Sequence, residues 1–419
     1  MIICKFGGAS VKNSESIQKL PQIIHNIAGE QIIVVSAIGK TTNKLEEILA
    51  LKMAGKPWEQ SANSLIEEHL EIASGLFPAN EKNKLVFSVI KSVFNTAFKI
   101  LKDYSGNNYD FIYDQVVSAG ELASTKIVSH FLLSKGLQNN WMDIRDFIET
   151  DSSFREAKVA ESHTRKNVSK GFDFNTTNIF VTQGFIAADK KMNTTTLGRE
   201  GSDYTAALLA NMLNAEKVIL WKDVDGIFNA DPKLFPEAKL LKELSYREAI
   251  ELSFYGAKII HPKTIKPVQN KNIPIFVNNF NNPGAKGSKI CKLNNYKPDF
   301  PVYIVKDKQM LISISPKDLS FILEEHISRF FTLLDTYHVK VNMMQNSAIS
   351  FSVCCDKVEE IKLKALIETL KADFRTLYNS NLELITIRHY TKESITKMTE
   401  GKKTLMEQKS RNTAQFVVE

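Results

Sequence analysis

Lys5-Phe6-Gly7-Gly8-Ala9-Ser10 follows an apolar run, Met1 to Cys4, so a lysine and two glycines enter a turn directly from a strand-like segment. Glycine lets backbone N–H groups close around phosphate oxygens, a following helix adds its positive N-terminal dipole, and the lysine adds a mobile charge. The layout suits an anion-binding loop, although a strand-to-helix turn can carry two glycines for steric reasons alone. Outward from it, apolar β-branched runs at Ile32 to Val35, Ile179 to Val181, Val218 to Trp221 and Ile273 to Val277 alternate with stretches of helical period, Ser14 to Ile27, Glu81 to Leu101 and Gly120 to Leu133. Buried strands alternating with helices predict an α/β layer fold with a largely parallel sheet.

With 419 residues, 43% of them hydrophobic, the chain can bury more than one core, and two or three domains are expected. No run approaches the roughly 18 to 20 apolar residues of a membrane span. The loop at Lys5 leaves no room for a removable signal peptide, so a cytoplasmic location is expected. Cys4, Cys291, Cys354 and Cys355 lack metal-ligand spacing and are expected to be reduced packing residues. The net charge of +7 comes from lysines dispersed among acids, without a basic run, so neither a nucleic acid nor a membrane partner is expected. Gly39-Lys40-Thr41 mimics the end of a Walker A loop, but the required first glycine falls on Val34.

Asn278 to Lys289 and Asn294 to Pro301 are rich in turn residues and place a domain boundary around 290 to 302. Beyond it the pattern predicts a strand (Met310 to Ser315), a helix (Leu319 to Tyr337), two strands (Val339 to Met344, Ala348 to Cys355), a helix (Val358 to Lys371) and a strand (Phe374 to Tyr378). That βαββαβ order is the ferredoxin-like plan. A strand (Leu382 to His389), a helix (Lys392 to Gln408) and a final strand (Ala414 to Val418) follow, and Val302 to Val305 supplies one strand more.

Four further segments accompany the first loop: Ser118-Ala119-Gly120-Glu121, Thr194 to Tyr204 with Leu197-Gly198-Arg199-Glu200-Gly201-Ser202-Asp203, Trp221 to Ile227, and Phe254-Tyr255-Gly256-Ala257-Lys258. In this order and at these separations the set closely resembles the aspartate kinases of the amino acid kinase superfamily. The likeness runs from Met1 to about Ile290 and more loosely through the C-terminal third. It implies a three-layer amino acid kinase domain over residues 1–292, binding ATP and aspartate, and an ACT regulatory region over 302–419. One complete ACT unit would span about 308–380, and an abbreviated second unit would combine 302–307 with 381–419. No Gly-x-Gly-x-x-Gly occurs, so the homoserine dehydrogenase domain fused to some aspartate kinases is not expected and the chain looks monofunctional.

Moving the terminal phosphoryl group of ATP onto a carboxylate brings two anions together, so cations and N–H donors must dominate the site. By the resemblance, Lys5 and the N–H groups of Gly7 and Gly8 meet the transferring phosphate, Lys258 balances charge on the ATP side, and Asp203 orients the phosphate-binding lysines. Arg199 would grip the α-carboxylate of aspartate, Glu121 its amine, and Thr42 and Ser202 lie on the substrate side; Thr41 beside Thr42 leaves that register open. Lys222, Asp223, Phe228 and Lys233 join Lys5 and Lys258 as nucleotide-binding positions. Mg²⁺ is expected to arrive with ATP, the co-substrate, and no protein metal ligand is assigned.

Structural roles compete with some of these. Glu121 would open the helix after Gly120, Asp203 would cap a helix from Tyr204 to Met212, and Asp231-Pro232 would form a turn. Three residues depart from the family's pattern near the site: Ala9 replaces a hydroxyl residue, Lys222 stands where relatives mostly have Thr or Ser, and Glu200 is an acid that would repel aspartate unless turned to solvent. Ser320 stands where feedback-sensitive relatives often have glycine, which puts the identity of an amino acid effector, lysine or threonine, in question. A homodimer paired through the ACT units is expected. Two other readings stay open: a superfamily kinase acting on glutamate, an N-acetylated amino acid or a nucleotide monophosphate, and a catalytically idle amino acid sensor.

Overall fold

The structure is a computed structural model describing residues 1–78, 81–257, 260–294, 296–318 and 320–419, the side chains of 81–83 excepted. These form two compact units. The first comprises Met1–Ile227, Leu240–Ile250 and Ile259–Asn294, and the second Phe228–Lys239, Glu251–Lys258 and Asn295–Glu419.

The first unit is built on an eight-stranded sheet in the order Asn140–Met142, Ile179–Gln183, Gln31–Val35, Ile2–Phe6, Lys217–Lys222, Ile275–Asn279, Ser288–Cys291, Glu243–Ser245. All neighbours are parallel except Ile275–Asn279 with Ser288–Cys291. Ile2–Phe6 lies at the centre, Cys4 in register with Ile33 on one side and Ile219 on the other, and all five of its residues are buried. That continuous burial is what a parallel strand covered on both faces requires, and it explains why the run is apolar rather than alternating. Burial pushes the Cys4 thiol up to about 12, in keeping with a packing role, and all four cysteines are free.

Helix Tyr109–Ser134 supplies much of the packing through Ile112, Val116, Ala119, Ala123, Ile127 and Phe131, a stripe at intervals of three and four residues. Asn108 caps it, its side-chain oxygen accepting from the Phe111 N–H at 3.0 Å. The helix begins at Tyr109, not Gly120, so Glu121 sits deep inside it and the reading of that carboxylate as a helix-start charge is corrected. Pro21 at the start of Leu20–His25 splits the predicted helix Ser14 to Ile27 after Ser14–Ile17. Helix Gly201–Leu213 starts earlier than read, which puts Asp203 in its first turn and removes it from the capping position; Glu200 occupies that position.

The second unit carries a six-stranded sheet in the order Val341–Asn346, Phe351–Asp356, Val302–Ser315, Arg375–Arg388, Thr413–Val418, Thr404–Lys409, with every pairing antiparallel. The separately predicted strands Val302 to Val305 and Met310 to Ser315 are one 14-residue strand, as are Phe374 to Tyr378 and Leu382 to His389. Register shifts at Lys306/Gln309 and Gln309/Leu311 break the pairing of these two long strands into two halves. On one half, helices Glu324–Thr336 and Glu360–Asp373 cover Met310, Ile312, Ile314 and Val353 in the ferredoxin-like strand order 4-1-3-2. On the other half the chain order is 1-2-4-3, which becomes the same layout when the strand from Val302 is counted last, and the single helix Lys392–Thr399 covers it, its Met398 packing on Ile385, Ile387 and Phe416.

Two helix boundaries are corrected. The helix predicted from Leu319 starts at Glu324, and residue 319 lies outside the described residues. The helix predicted from Lys392 to Gln408 ends at Thr399; Gly401 turns the chain at φ 73°, and Thr404–Lys409 is a strand. No helix among the described residues is long and apolar enough to cross a membrane.

Candidate active site

The C-terminal ends of parallel strands and the start of helix Gly201–Leu213 line a cleft of about 880 Å³ in the first unit. Open α/β sheets gather ligand-binding groups at this end because loops and helix N-termini converge there. Lys5, the last but one residue of the central strand, is buried, and its Nζ lies 2.6 Å from Oδ1 of Asp203. Lys222, ending the neighbouring strand, places its Nζ 3.0 Å from Oδ2 of the same carboxylate. Burial alone would raise the Asp203 carboxyl, but Lys5 and then Lys222 outweigh it and hold the group well below the usual carboxylate range. For Lys222, burial would depress the ammonium, and Asp203 followed by Glu200 reverses that and raises it. The floor of the cleft therefore carries two ammonium groups on the Asp203 carboxylate, with Glu200 as a second, more distant carboxylate on Lys222.

The first glycine loop is shaped by contact as well as by its donors. A Cβ on Gly8 would lie 2.7 Å from the Gly39 carbonyl oxygen and 3.0 Å from that of Ala37, so only glycine allows the two loops to cross. The Gly39 N–H donates to the Gly8 carbonyl at 3.1 Å. A Cβ on Gly7 would lie 3.4 Å from Lys5 Nζ. Ser10 Oγ donates to the Trp221 carbonyl at 3.1 Å and ties this loop to the strand end that carries Lys222.

Glu121 is only 3% exposed. The Ala37 N–H donates to its Oε1 at 3.3 Å, while its Oε2 is buried without a hydrogen-bond partner. Burial pushes the carboxyl up to about 8, with the Ala37 N–H and Lys5 opposing that rise. The helix comes close enough to present it because Gly120 has no side chain: a Cβ there would lie 3.0 Å from both Ala37 Cβ and Thr41 Cγ2. Thr41 is committed to structure, its Oγ1 donating to the Ile38 carbonyl at 2.7 Å, whereas Thr42 lines the cleft. Arg199 and Ser202 line the cleft too, and Arg199 is exposed with no hydrogen bond or ion pair among the described residues.

Lys5, Gly8, Thr42, Glu121, Arg199, Ser202, Asp203 and Lys222 thus share one cleft. Asp223 is exposed and outside its lining. Phe228 and Lys233 belong to the second unit, where Asp231 does form the turn read from the sequence, accepting the Lys233 N–H at 2.9 Å. Lys258 lies outside the described residues. Glu200 does not turn to solvent: its Oε2 is buried 3.8 Å from Lys222 Nζ. Among the described residues no cluster of His, Cys, Asp and Glu could hold a metal ion.

Sequence reading missed Asp114, Arg155 and Phe185. Asp114 is fully buried, accepting from the Thr196 N–H at 2.8 Å, Thr196 Oγ1 at 2.7 Å and the Arg155 N–H at 3.0 Å, and so fixes two segments that border the cleft. Arg155 and Phe185 line the cleft in left-handed backbone, at φ 68° and 72°. Asp114 and Arg155 stand in no glycine-marked motif and owe their value to contacts between distant segments, whereas Phe185 follows Gly184, where a Cβ would lie 2.5 Å from Ser202, a signal that could have found it.

Residues 1–279 match the Amino acid kinase family. The chain belongs to that family. It is 31% identical over 383 residues to the bifunctional aspartokinase/homoserine dehydrogenase 1, chloroplastic, of Arabidopsis thaliana, covering 88% of this chain and 42% of that protein. The chain therefore spans less than half the length of such bifunctional relatives. The lysine-sensitive aspartokinase 3 of Escherichia coli strain K12 is 27% identical over 401 residues, 92% of this chain and 86% of that one. Among solved structures, E. coli aspartokinase III in complex with lysine and aspartate superposes with a TM-score of 0.86 at 26% identity, covering 100% of this chain and 96% of the other. The same enzyme in complex with aspartate and ADP gives 0.81 at 26% identity over the same shares.

Proposed function

We propose that this amino acid kinase transfers the γ-phosphoryl group of ATP to the β-carboxylate of L-aspartate, giving 4-phospho-L-aspartate, the first step toward lysine, threonine and methionine. The observation that carries the reading is the joint presence, in one cleft, of the Lys5–Asp203–Lys222 cluster and the pair Glu121 and Arg199. The first suits a phosphate in transfer, and the second suits an amino acid with its amine and carboxylate. The aspartate and ADP held by E. coli aspartokinase III support both halves.

The acceptor is already ionised at neutral pH, so no general base is needed and catalysis rests on alignment and charge. A β-carboxylate oxygen attacks the γ-phosphorus as the bond to the ADP oxygen breaks. Lys5 and the N–H groups of Gly7 and Gly8 stabilise the charge on the transferring group. Lys222, Asp223, Phe228, Lys233 and Lys258 serve the nucleotide, while Thr42, Ser202, Arg199 and Glu121 hold aspartate. Mg²⁺ would ride on the phosphates; both Asp203 oxygens already face lysines, which leaves that carboxylate unsuited to the ion.

Residues 1–292 would form the catalytic domain and 302–419 the ACT region, with one complete unit at about 308–380 and an abbreviated one from 302–307 and 381–419. The ACT region would sense lysine or threonine and pair two chains as a cytoplasmic homodimer. The lysine bound by E. coli aspartokinase III supports the sensing half. An acetylated amino acid has no ammonium for Glu121, and a nucleotide acceptor gives Arg199 and Glu121 nothing to hold, so both rank below aspartate. The test is acyl-phosphate formation, trapped as the hydroxamate, with Mg-ATP and a panel of aspartate, glutamate and N-acetylglutamate, each with and without lysine and threonine. Turnover with aspartate is expected, and silence across the panel from a folded sample would overturn the assignment in favour of the sensor.

A further inference from the structure

Glu200 is costly where it stands. It takes the N-cap position of helix Gly201–Leu213 in left-handed backbone, φ 54° and ψ 30°, where glycine would be unstrained and an ordinary side chain is disfavoured. Its side chain makes no capping hydrogen bond in return. The carboxylate enters a cleft read above as the meeting place of two anionic reactants, where a negative charge opposes binding. Its Oε2 is buried, lacks a hydrogen-bond partner and lies 3.8 Å from Lys222 Nζ.

The neighbouring charges explain this placement. Lys5, Asp203, Lys222 and Glu200 form a row of alternating sign, with separations of 2.6, 3.0 and 3.8 Å. Asp203 is the carboxylate in contact with both ammonium groups. Its Oδ1 faces Lys5 and its Oδ2 faces Lys222, which leaves it no third oxygen. Glu200 supplies the second negative charge and makes the row neutral. At 3.8 Å and without a hydrogen bond, it is the weaker of the two carboxylates on Lys222 and the one most readily given up.

We propose that Glu200 is a positioning residue, an internal counter-anion that parks Lys222 on Asp203 before nucleotide binds and is displaced when nucleotide phosphate oxygens take the ammonium. This rests on the nucleotide reading of the cleft. The carboxylate competes with the incoming phosphates, so it weakens binding of any phosphate anion while keeping Lys222 charged and in place. A residue that merely supports the fold would do the opposite, since its loss would disorder the loop and weaken binding.

Calorimetry with ADP and with inorganic phosphate on the full chain tests this directly. Glu200→Gln is expected to tighten both by about fivefold, the scale of one partly screened ion pair. Glu200→Gly should bind at least as tightly and melt at a higher temperature, because the strain is also relieved; it serves as the folding control. In a Lys222→Met background, Glu200→Gln should change nothing further, since the two act as a unit. Equal or weaker binding in Glu200→Gln, or the same gain with Lys222 removed, would overturn the proposal. Failure of the unaltered chain to bind ADP at all would instead refute the nucleotide reading beneath it.

Discussion

Glu121 makes the proposed aspartate site sensitive to pH in a direction opposite to that of an ordinary carboxylate. Burial pushes its carboxyl from 4.5 up to about 8, and its Oε2 has no hydrogen-bond partner, so before substrate binds the group is mostly protonated at neutral pH. An ammonium on the substrate needs the ionised form. Below pH 8 the ionised fraction falls about tenfold per pH unit, so kcat/KM for aspartate should rise roughly tenfold per unit from pH 6 toward pH 8 and then level. The KM for ATP at saturating aspartate should not follow, because the pairing that titrates is with the ammonium of aspartate, which ATP lacks. Glu121→Gln keeps the shape and removes the titration: its kcat/KM should be low and flat across the same range. The same proton enters folding. Between 4.5 and about 8 the folded chain holds a proton that the unfolded chain has lost, so this group's contribution to stability declines as pH rises. Glu121→Gln should therefore gain on the unaltered protein in urea midpoint at pH 9 and not at pH 4. A flat profile for the unaltered enzyme from pH 6 to 8, or an unchanged slope in Glu121→Gln, would refute the reasoning.

Other consequences follow from the same cleft. Lys5→Met should lower kcat by about 10²- to 10³-fold, as removal of one transition-state donor does, with circular dichroism checking that the fold persists. Arg199→Ala should raise the KM for aspartate at least about tenfold and leave that for ATP unchanged, since a charge-assisted bidentate grip is lost from one substrate. Gly8→Ala forces a Cβ to 2.7 Å from a backbone carbonyl and should cost about 1–3 kcal/mol in thermal or urea unfolding, in addition to any loss of activity. Asp114→Ala leaves the Thr196 N–H and Oγ1 and the Arg155 N–H without their acceptor; a loss of about 2–4 kcal/mol is expected, read from the urea midpoint.

Much of the fold could be read from local pattern. The parallel strands are apolar throughout because both faces are covered, and Ile179–Gln183 and Lys217–Lys222 fall within two residues of where that pattern ends. Errors gathered where a long-range contact overrides the local signal. Tyr109 to Ala119 is rich in aromatic and β-branched residues and lacks a clean start signal, so the helix was begun at the glycine that Ala37 and Thr41 require, not at the Asn108 cap. The two 14-residue strands were each read as two because their midpoints, Lys306 to Gln309 and Tyr378 to Asn381, carry polar residues that resemble turns. Pairing between the strands sets their length, and one sequence window holds only half of that pairing.

The site divides along the same line. Residues in glycine-bearing motifs, Lys5, Gly8, Glu121, Arg199 and Asp203, were legible because close backbone approach constrains the neighbouring sequence, and they do share the cleft. Lys222 was read as a nucleotide-binding position and Glu200 as an acid that would repel aspartate, two departures 22 positions apart with no link between them in the sequence. Folding brings them to either end of one ion pair beside Asp203, and each then accounts for the other. An extra lysine would overload a single buried carboxylate. An extra glutamate alone would repel the reactants. Together they leave the net charge of the row unchanged, which is why neither residue can be judged singly and why the decisive measurement is their coupling, the affinity for phosphate anions with both altered against each altered alone.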